Sequence, residues 1–425
     1  MQQAQILTSL EKSREENDQL IPVDGTRTDH FRESQLIISL SQTRITAPCL
    51  DVVGNLLQQD LDWDYLSGIT ARNAVFPIFA RNLLTHFSDL LPDEIRTSFD
   101  QRFRHHRHQN MFWTSKLIEI VQLLKENNIP AIPFKGPLLA MQAYGDVALR
   151  KYGDLDVLVQ PKHFYNALEI LKSRGYVAVT ELNWLNRNDW YISRKKDIYL
   201  TNQERTVNLE LHWKLSGSHF SLPIEMSRLW ENPERVLVAG TELNTLKFND
   251  LLIYLCLHGS RHSWERFGWI CDAHELIRSK DEINWEEITQ QAKRLGCENI
   301  LELALRLLND YFGLETDIAN WENIKSDKRM EADLSDIRQR LFSPERITVK
   351  IGERYQYHLK LKERRLDKLK LHIHYILWYL KIILKPNELD HNLFNLPGFL
   401  APLYYVMRPF RLFYTFVIPQ HSRKE

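Results

Sequence analysis

From Ser34 to about Asn127 apolar residues recur at helical spacing, most clearly Trp113, Leu117, Ile120, Val121 and Leu124, which share one face of a helix. Residues 1–33 are polar without such a period and are expected to form a flexible leader. Pro92-Asp93-Glu94 marks a helix start, with proline early and acids in the first turn, where backbone N–H groups lack partners. At Asn128 the rhythm changes. Short β-type runs alternate with helical ones: Ile129 to Phe134, Leu138 to Tyr144, Asp154 to Val159 and His163 to Arg174. The last of these carries Phe164, Ala167, Leu168 and Leu171 on one side and stops at Gly175, suited to a left-handed cap. Two further β-like runs, Trp190 to Leu200 and Thr206 to Trp213, flank a turn at Asn202-Gln203-Glu204 and complete a core over 128–217. Helical spacing returns from Pro223 to about Phe342, within a region 218–345, and 346–425 reads as a basic and aromatic helical segment. The pattern predicts an α+β protein, a small mixed-sheet core flanked by N-terminal and C-terminal helical regions.

Composition narrows this picture only slightly. The 425 residues, 44% hydrophobic and 26% charged, leave room for two or three domains around a sizeable core. Lysine plus arginine equals aspartate plus glutamate at 55 each, so any site for a polyanion must be local. Cys49, Cys256, Cys271 and Cys297 form no C-x-x-C pair, and the chain does not open with a basic and apolar signal segment, so a reducing cytoplasm is the expected location. The most apolar stretch, Leu371 to Leu384, is interrupted by Lys381 and holds two histidines, whereas a spanning helix needs roughly 20 apolar residues. No transmembrane segment is expected.

The candidate chemistry lies on two β-runs. Side chains alternate along a strand, so Asp154 and Asp156 share one face while Leu155, Val157 and Val159 take the other. Two adjacent carboxylates repel unless a positive charge lies between them, and a divalent metal supplies it. Oxygen-only ligands with positions left open for phosphate and water suit Mg²⁺ or Mn²⁺ better than zinc. The same alternation in Val207 to Trp213 presents Asn208, Glu210 and His212 together and makes Glu210 a third carboxylate. Upstream, Lys135-Gly136 ends a β-run and opens a helix, a place where backbone N–H groups and a lysine can meet phosphate. Arg150 and Lys151 add positive charge to the loop entering the Asp154-Leu155-Asp156 strand.

Other groups keep several readings. Arg102, Arg104, His105, His106, Arg107 and His108 crowd one helix, as a solvated face or a phosphate contact. His258 and His262, four apart, can be structural, hold zinc, or touch nucleotide or acceptor, and Gly259 stands where zinc hydrolases carry glutamate. The run Lys350 to Lys370 reads as a solvated helix face or an RNA-facing surface, and the aromatic stretch after it as core or an amphipathic contact.

Together these elements resemble the DNA polymerase β-like nucleotidyltransferase superfamily, with its glycine-bearing strand-helix turn, D-x-D strand and later third acid. More closely the chain is similar to a bacterial family of uncharacterised nucleotidyltransferases, through Lys135-Gly136, Tyr144, Arg150, Gly153-Asp154-Leu155-Asp156, Gly175-Tyr176 and Glu210-Leu211-His212-Trp213, and through His258, His262, Trp264, Asp272 and Arg408-Pro409. The resemblance implies transfer of a nucleoside monophosphate from an NTP such as ATP to an acceptor hydroxyl, with release of pyrophosphate. Asp154, Asp156 and Glu210 would be the catalytic metal ligands, and Lys135, Gly136 and Arg150 the nucleotide contacts. One departure is that the superfamily's Gly-Gly or Gly-Ser turn is Lys135-Gly136 here. The acceptor (protein, RNA or small molecule) and the oligomeric state are left open, and the competing reading is a catalytically silent nucleotide- or partner-binding protein that keeps the fold.

Overall fold

The computed structural model describes residues 30–179, 195–217, 220, 224–318, 321–384, 390, 400 and 402–417. Most of the expected leader, and the first residues of the Trp190 to Leu200 run, lie outside them. The N-terminal helices are α1 (Phe31–Leu40), α2 (Ala47–Leu57), α3 (Trp63–Arg72), α4 (Phe76–Phe87) and the long α5 (Asp93–Glu126). Pro92 caps α5 with Asp93 and Glu94 in its first turn, as the sequence predicts.

The sheet that follows is mixed, as expected. Its strands are β1 (Ala131–Pro133), β2 (Leu155–Val159), β3 (Tyr176–Ala178), β4 (Asp197–Asn202) and β5 (Asn208–His212), in the order β1-β2-β5-β4-β3. Only β2 and β5 run parallel. After β1 comes a short helix α6 (Gly136–Leu139), continued by a π-helical turn Ala140–Tyr144, and after β2 comes α7 (Phe164–Ser173). Gly175 follows with φ +85°, in the left-handed region predicted for a helix stop. Strand β2 begins at Leu155, so Asp154 sits in the bend just before it.

Alternation sorts the two faces of the sheet. Leu155, Val157 and Val159 of β2, with Leu209 and Leu211 of β5, join a buried cluster with Leu117, Ile120 and Leu124 of α5 and Phe164, Ala167, Leu168 and Leu171 of α7. Leu158, on the opposite face, belongs to a larger cluster with α8 (Phe248–Arg261), α9 (Phe267–Arg278) and the N-terminal helices. The side of the sheet bearing Asp156 therefore looks toward the helical half of the protein.

Between sheet and α8 the chain forms a hairpin, β6 (Glu234–Val238) and β7 (Thr241–Thr245), in a stretch where only helical spacing was expected. Ala239 and Gly240, both at positive φ, make its two-residue turn, the geometry that matches strand twist. The alternation of Val236 and Val238 is too short to stand out beside the longer helical periods. Then follow α10 (Trp285–Leu295), α11 (Glu298–Phe312), α12 (Trp321–Ser326), α13 (Glu331–Leu341) and α14 (Ile351–Leu361).

The chain divides into two compact units, the larger ending at Leu361 and the smaller beginning at Lys362. The smaller contains α15 (Arg365–Leu384) and α16 (Leu403–Val417), with Arg408 and Arg411 both paired to Asp390. Among the described residues no helix is long and apolar enough to cross a membrane.

Candidate active site

The β2–β5 register sets Asp156 directly opposite Glu210 on parallel strands. Their side chains leave the sheet on one face, with His212 two residues beyond Glu210 on that same face. Nε2 of His212 lies 3.1 Å from Asp156 Oδ1 and 3.1 Å from Glu210 Oε2. A ring nitrogen between two carboxylates is assigned the proton and donates to both. Lys135 Nζ stands 2.8 Å from the same Asp156 Oδ1, near the rings of Phe134 and Tyr254, whose centroids are 5.9 and 5.8 Å away. Asp156 is 2% exposed and His212 fully buried.

These contacts set the protonation states. Burial alone would raise the Asp156 pKa, but Lys135 and His212 hold it well below the usual carboxylate range. Glu210 is likewise lowered, against its own burial, by His212. Burial alone would depress Lys135, and the Asp156 charge instead keeps it above an ordinary lysine. His212 is raised by the same two carboxylates. The centre is thus fully ionised at its carboxylates and lysine at neutral pH.

The residues fit a hard divalent cation. Asp156 Oδ2 is buried and has no hydrogen-bond partner among the described residues, and an unsatisfied buried charged acceptor costs roughly 1–3 kcal/mol or more. A cation would satisfy it. Ligand atoms of Asp156, Glu210 and His212 all lie within 4.8 Å of one another. Nε2 cannot both donate to the carboxylates and ligate, so the hydrogen-bonded geometry gives His212 the task of holding the two acids in place.

Asp154 makes no hydrogen bond or ion pair among the described residues. Burial first, and then the Asp156 charge, raise its pKa, with Lys135, Glu210 and Arg150 close enough to contribute. It is a third carboxylate beside the pair, without a counter-charge of its own. Gly136 follows Lys135 at φ +53°, where any side chain is strained, and a Cβ there would stand 3.5 Å from the Asp154 carbonyl oxygen. Asn208 Nδ2 donates to the Gly153 carbonyl at 3.2 Å and ties the bend to β5.

Arg150 lies near this centre, but its guanidinium grips Asp272 of α9, Nε to Oδ1 at 2.8 Å and Nη2 to Oδ2 at 2.9 Å. Tyr144 donates to the same Oδ1 at 2.9 Å, so three residues of the sequence motif meet at one buried carboxylate. His258 and His262 pack against Trp269, His258 edge-on and His262 tilted, with the two histidine ring centroids 4.9 Å apart, and Arg261 Nη2 lies 3.4 Å from His258 Nδ1 and 3.1 Å from His262 Nε2. A cation at that distance disfavours a second cation between them. Burial and Arg261 push His262 down to about 3, and burial and Lys135 push His258 well down. Both rings are neutral. Gly259 has its own reason, since a Cβ there would come within 2.4 Å of the buried Trp264 ring.

A family model described as uncharacterised nucleotidyltransferase matches residues 59–313, more than half of the chain. The chain belongs to the uncharacterised nucleotidyltransferase family. No curated protein was found to match it. The nucleotidyltransferase span opens after α2 and closes after α11, so it includes the whole sheet, Lys135, the three acids and the Arg150–Asp272 pair.

Sequence reasoning placed His212 on the right face but gave it no task, and it missed Lys196, Asp197 and Tyr254. Lys196 pairs with Asp197 and stands 3.8 Å from Glu210 Oε2. The His212 signal was its two-residue spacing from Glu210. Tyr254 carried none, since its helix reads as core.

Proposed function

We propose that the protein is a metal-dependent nucleotidyltransferase that transfers a nucleoside monophosphate from an NTP to a hydroxyl of an acceptor. The bond from the acceptor oxygen to the α-phosphorus forms, the bond to the leaving oxygen breaks, and pyrophosphate departs. The observation that carries this reading is the buried, unpartnered Oδ2 of Asp156 opposite Glu210 in a nucleotidyltransferase sheet. Mg²⁺ or Mn²⁺ held by Asp154, Asp156 and Glu210 would supply Lewis acidity toward the attacking hydroxyl and the departing pyrophosphate. Glu210 receives the hydroxyl proton, directly or through water. His212 keeps Asp156 and Glu210 in fixed orientation, a positioning role. Lys135, buried beside Asp156, supplies positive charge to triphosphate oxygens, and Arg150, oriented by Asp272 and Tyr144, does so from the loop before Asp154.

Calorimetry with Mg²⁺ and each of ATP, CTP, GTP and UTP tests binding. Incubation with labelled NTPs and cell extract, followed by ribonuclease or protease digestion, tests transfer and the acceptor class. Asp156→Ala is expected to lower transfer by about 10²-fold or more. One observation favours a second reading, a catalytically silent nucleotide-binding protein: Asp156 Oδ1 is already taken by Lys135 and His212. Nucleotide binding without label transfer to any acceptor would establish that reading. Nucleotide binding unaffected by the Asp154→Ala, Asp156→Ala double substitution would sink the proposed metal centre.

A further inference from the structure

A cavity of about 350 Å³ lies between the N-terminal helices and the loop that enters β2. Phe76 and Pro77 of α4 give it an apolar wall; Arg102, His105 and His106 of α5 and Lys151 of the loop give it a polar one, and no lining residue is acidic. The Arg102 guanidinium lies 3.9 Å from the Phe76 ring centroid and donates to Ser67 Oγ. Neither Arg102 nor Lys151 has a carboxylate within ion-pair distance among the described residues. Arg150, Arg306 and Arg340 are paired with Asp272, Glu331 and Asp336, whereas Arg72, like Arg102, has no carboxylate partner among the described residues and donates instead to backbone carbonyls. Burial lowers the pKa of Arg102, as expected of a cation held without a counter-charge. The volume is at the small end of ligand pockets, which run from roughly 300 to 1,000 Å³.

We infer that this cavity is a second ligand site, taking a small molecule with an apolar body against Phe76 and Pro77 and one oxyanion head, a phosphate monoester or carboxylate, between Arg102 and Lys151. A planar guanidinium stacked on a ring and a lysine beside it meet an oxyanion with charge-assisted hydrogen bonds. The site bears on the loop that carries Arg150 and Asp154. His106 Nε2 lies 3.3 Å from the Arg150 carbonyl, and Asn110 Nδ2 donates to the carbonyls of Val147 at 2.6 Å and Arg150 at 2.9 Å. A ligand bound to Lys151 of that loop therefore stabilises the loop in this position. The inference does not depend on nucleotidyl transfer.

Calorimetry on the full chain with phenyl phosphate, benzoate and inorganic phosphate tests it. Phenyl phosphate or benzoate is expected to bind, the tighter of the two identifying the head group, and both more tightly than inorganic phosphate. Lys151→Gln, on an exposed side chain, is expected to weaken binding about tenfold, and Arg102→Gln at least as much. Lys172→Gln, on the surface of α7 and paired only with Glu169, is expected to leave the affinity unchanged. No binding by the unaltered chain, binding undiminished in both Lys151→Gln and Arg102→Gln, or binding abolished by Lys172→Gln would overturn the site.

Discussion

Lys135, Asp156 and His212 form a buried charge chain in which each member makes sense only through the others. Removing the lysine alone leaves an anion sheltered from water with only His212 to meet it. Lys135→Met is therefore expected to cost about 3–5 kcal/mol of stability in metal-free buffer, read from urea unfolding. Asp156→Asn added to it is expected to recover part of that loss, and a strictly additive pair would contradict direct coupling. Gly259→Ala is a steric case. The new methyl would meet the Trp264 ring at 2.4 Å, and overpacking of this kind costs about 1–3 kcal/mol; an unchanged Tm would show that the ring yields freely. At this scale the sequence was legible where a local period carries the information. The two-residue alternation of a strand put Asp156 and Glu210 on a polar face because the apolar neighbours had to be buried. The Arg150–Asp272 pair, 122 residues apart in the chain, is carried by no local pattern, so Arg150 read as loop charge and, by resemblance, as a nucleotide contact rather than as the partner of Asp272.

Among the elements, α5 is the histidine-rich helix and meets the loop before β2. Of the charged residues crowding α5, His106 is buried and clamps that loop through the Arg150 carbonyl, while Arg104 and His108 lie exposed. Burial, reinforced by Lys151, pushes the His106 pKa down to about 4. Because the folded value lies below the unfolded one, protonation favours the unfolded chain. The stabilisation is complete above about pH 6.5 and is lost as pH falls toward 4, by on the order of 3 kcal/mol. His106→Gln is expected to flatten that part of the curve in urea unfolding at pH 7 and pH 4.5, and a curve as steep as that of the unaltered chain would refute it. His262, pushed to about 3, contributes in the same window. Helices α5 and α7 were readable from their periods and end signals. The β6–β7 hairpin was not, because its strands are mostly polar or exposed, with only Val238, Leu243 and Thr245 buried, and helical spacing surrounds them.

For the whole molecule, the nucleotidyltransferase span and both large apolar clusters fall within the unit that ends at Leu361. A chain ending at Leu361 is expected to unfold in one cooperative transition and to bind Mg²⁺ and nucleotide as the full chain does, by circular dichroism and calorimetry. Loss of nucleotide binding on truncation would assign part of the site to the C-terminal unit.

The parallel pairing of β2 with β5 also orders events in time. Parallel neighbours cannot be joined by a tight turn, and His212 reaches Asp156 from 56 positions further along the chain. Closing so long a loop precedes any reward from the contact, which makes such pairings slow. On the ribosome a chain emerged only as far as β4 already displays Lys135, Asp154 and Asp156 yet has no Glu210 or His212. The carboxylate centre is therefore incomplete until β5, a strand of five residues, stands between β2 and β4.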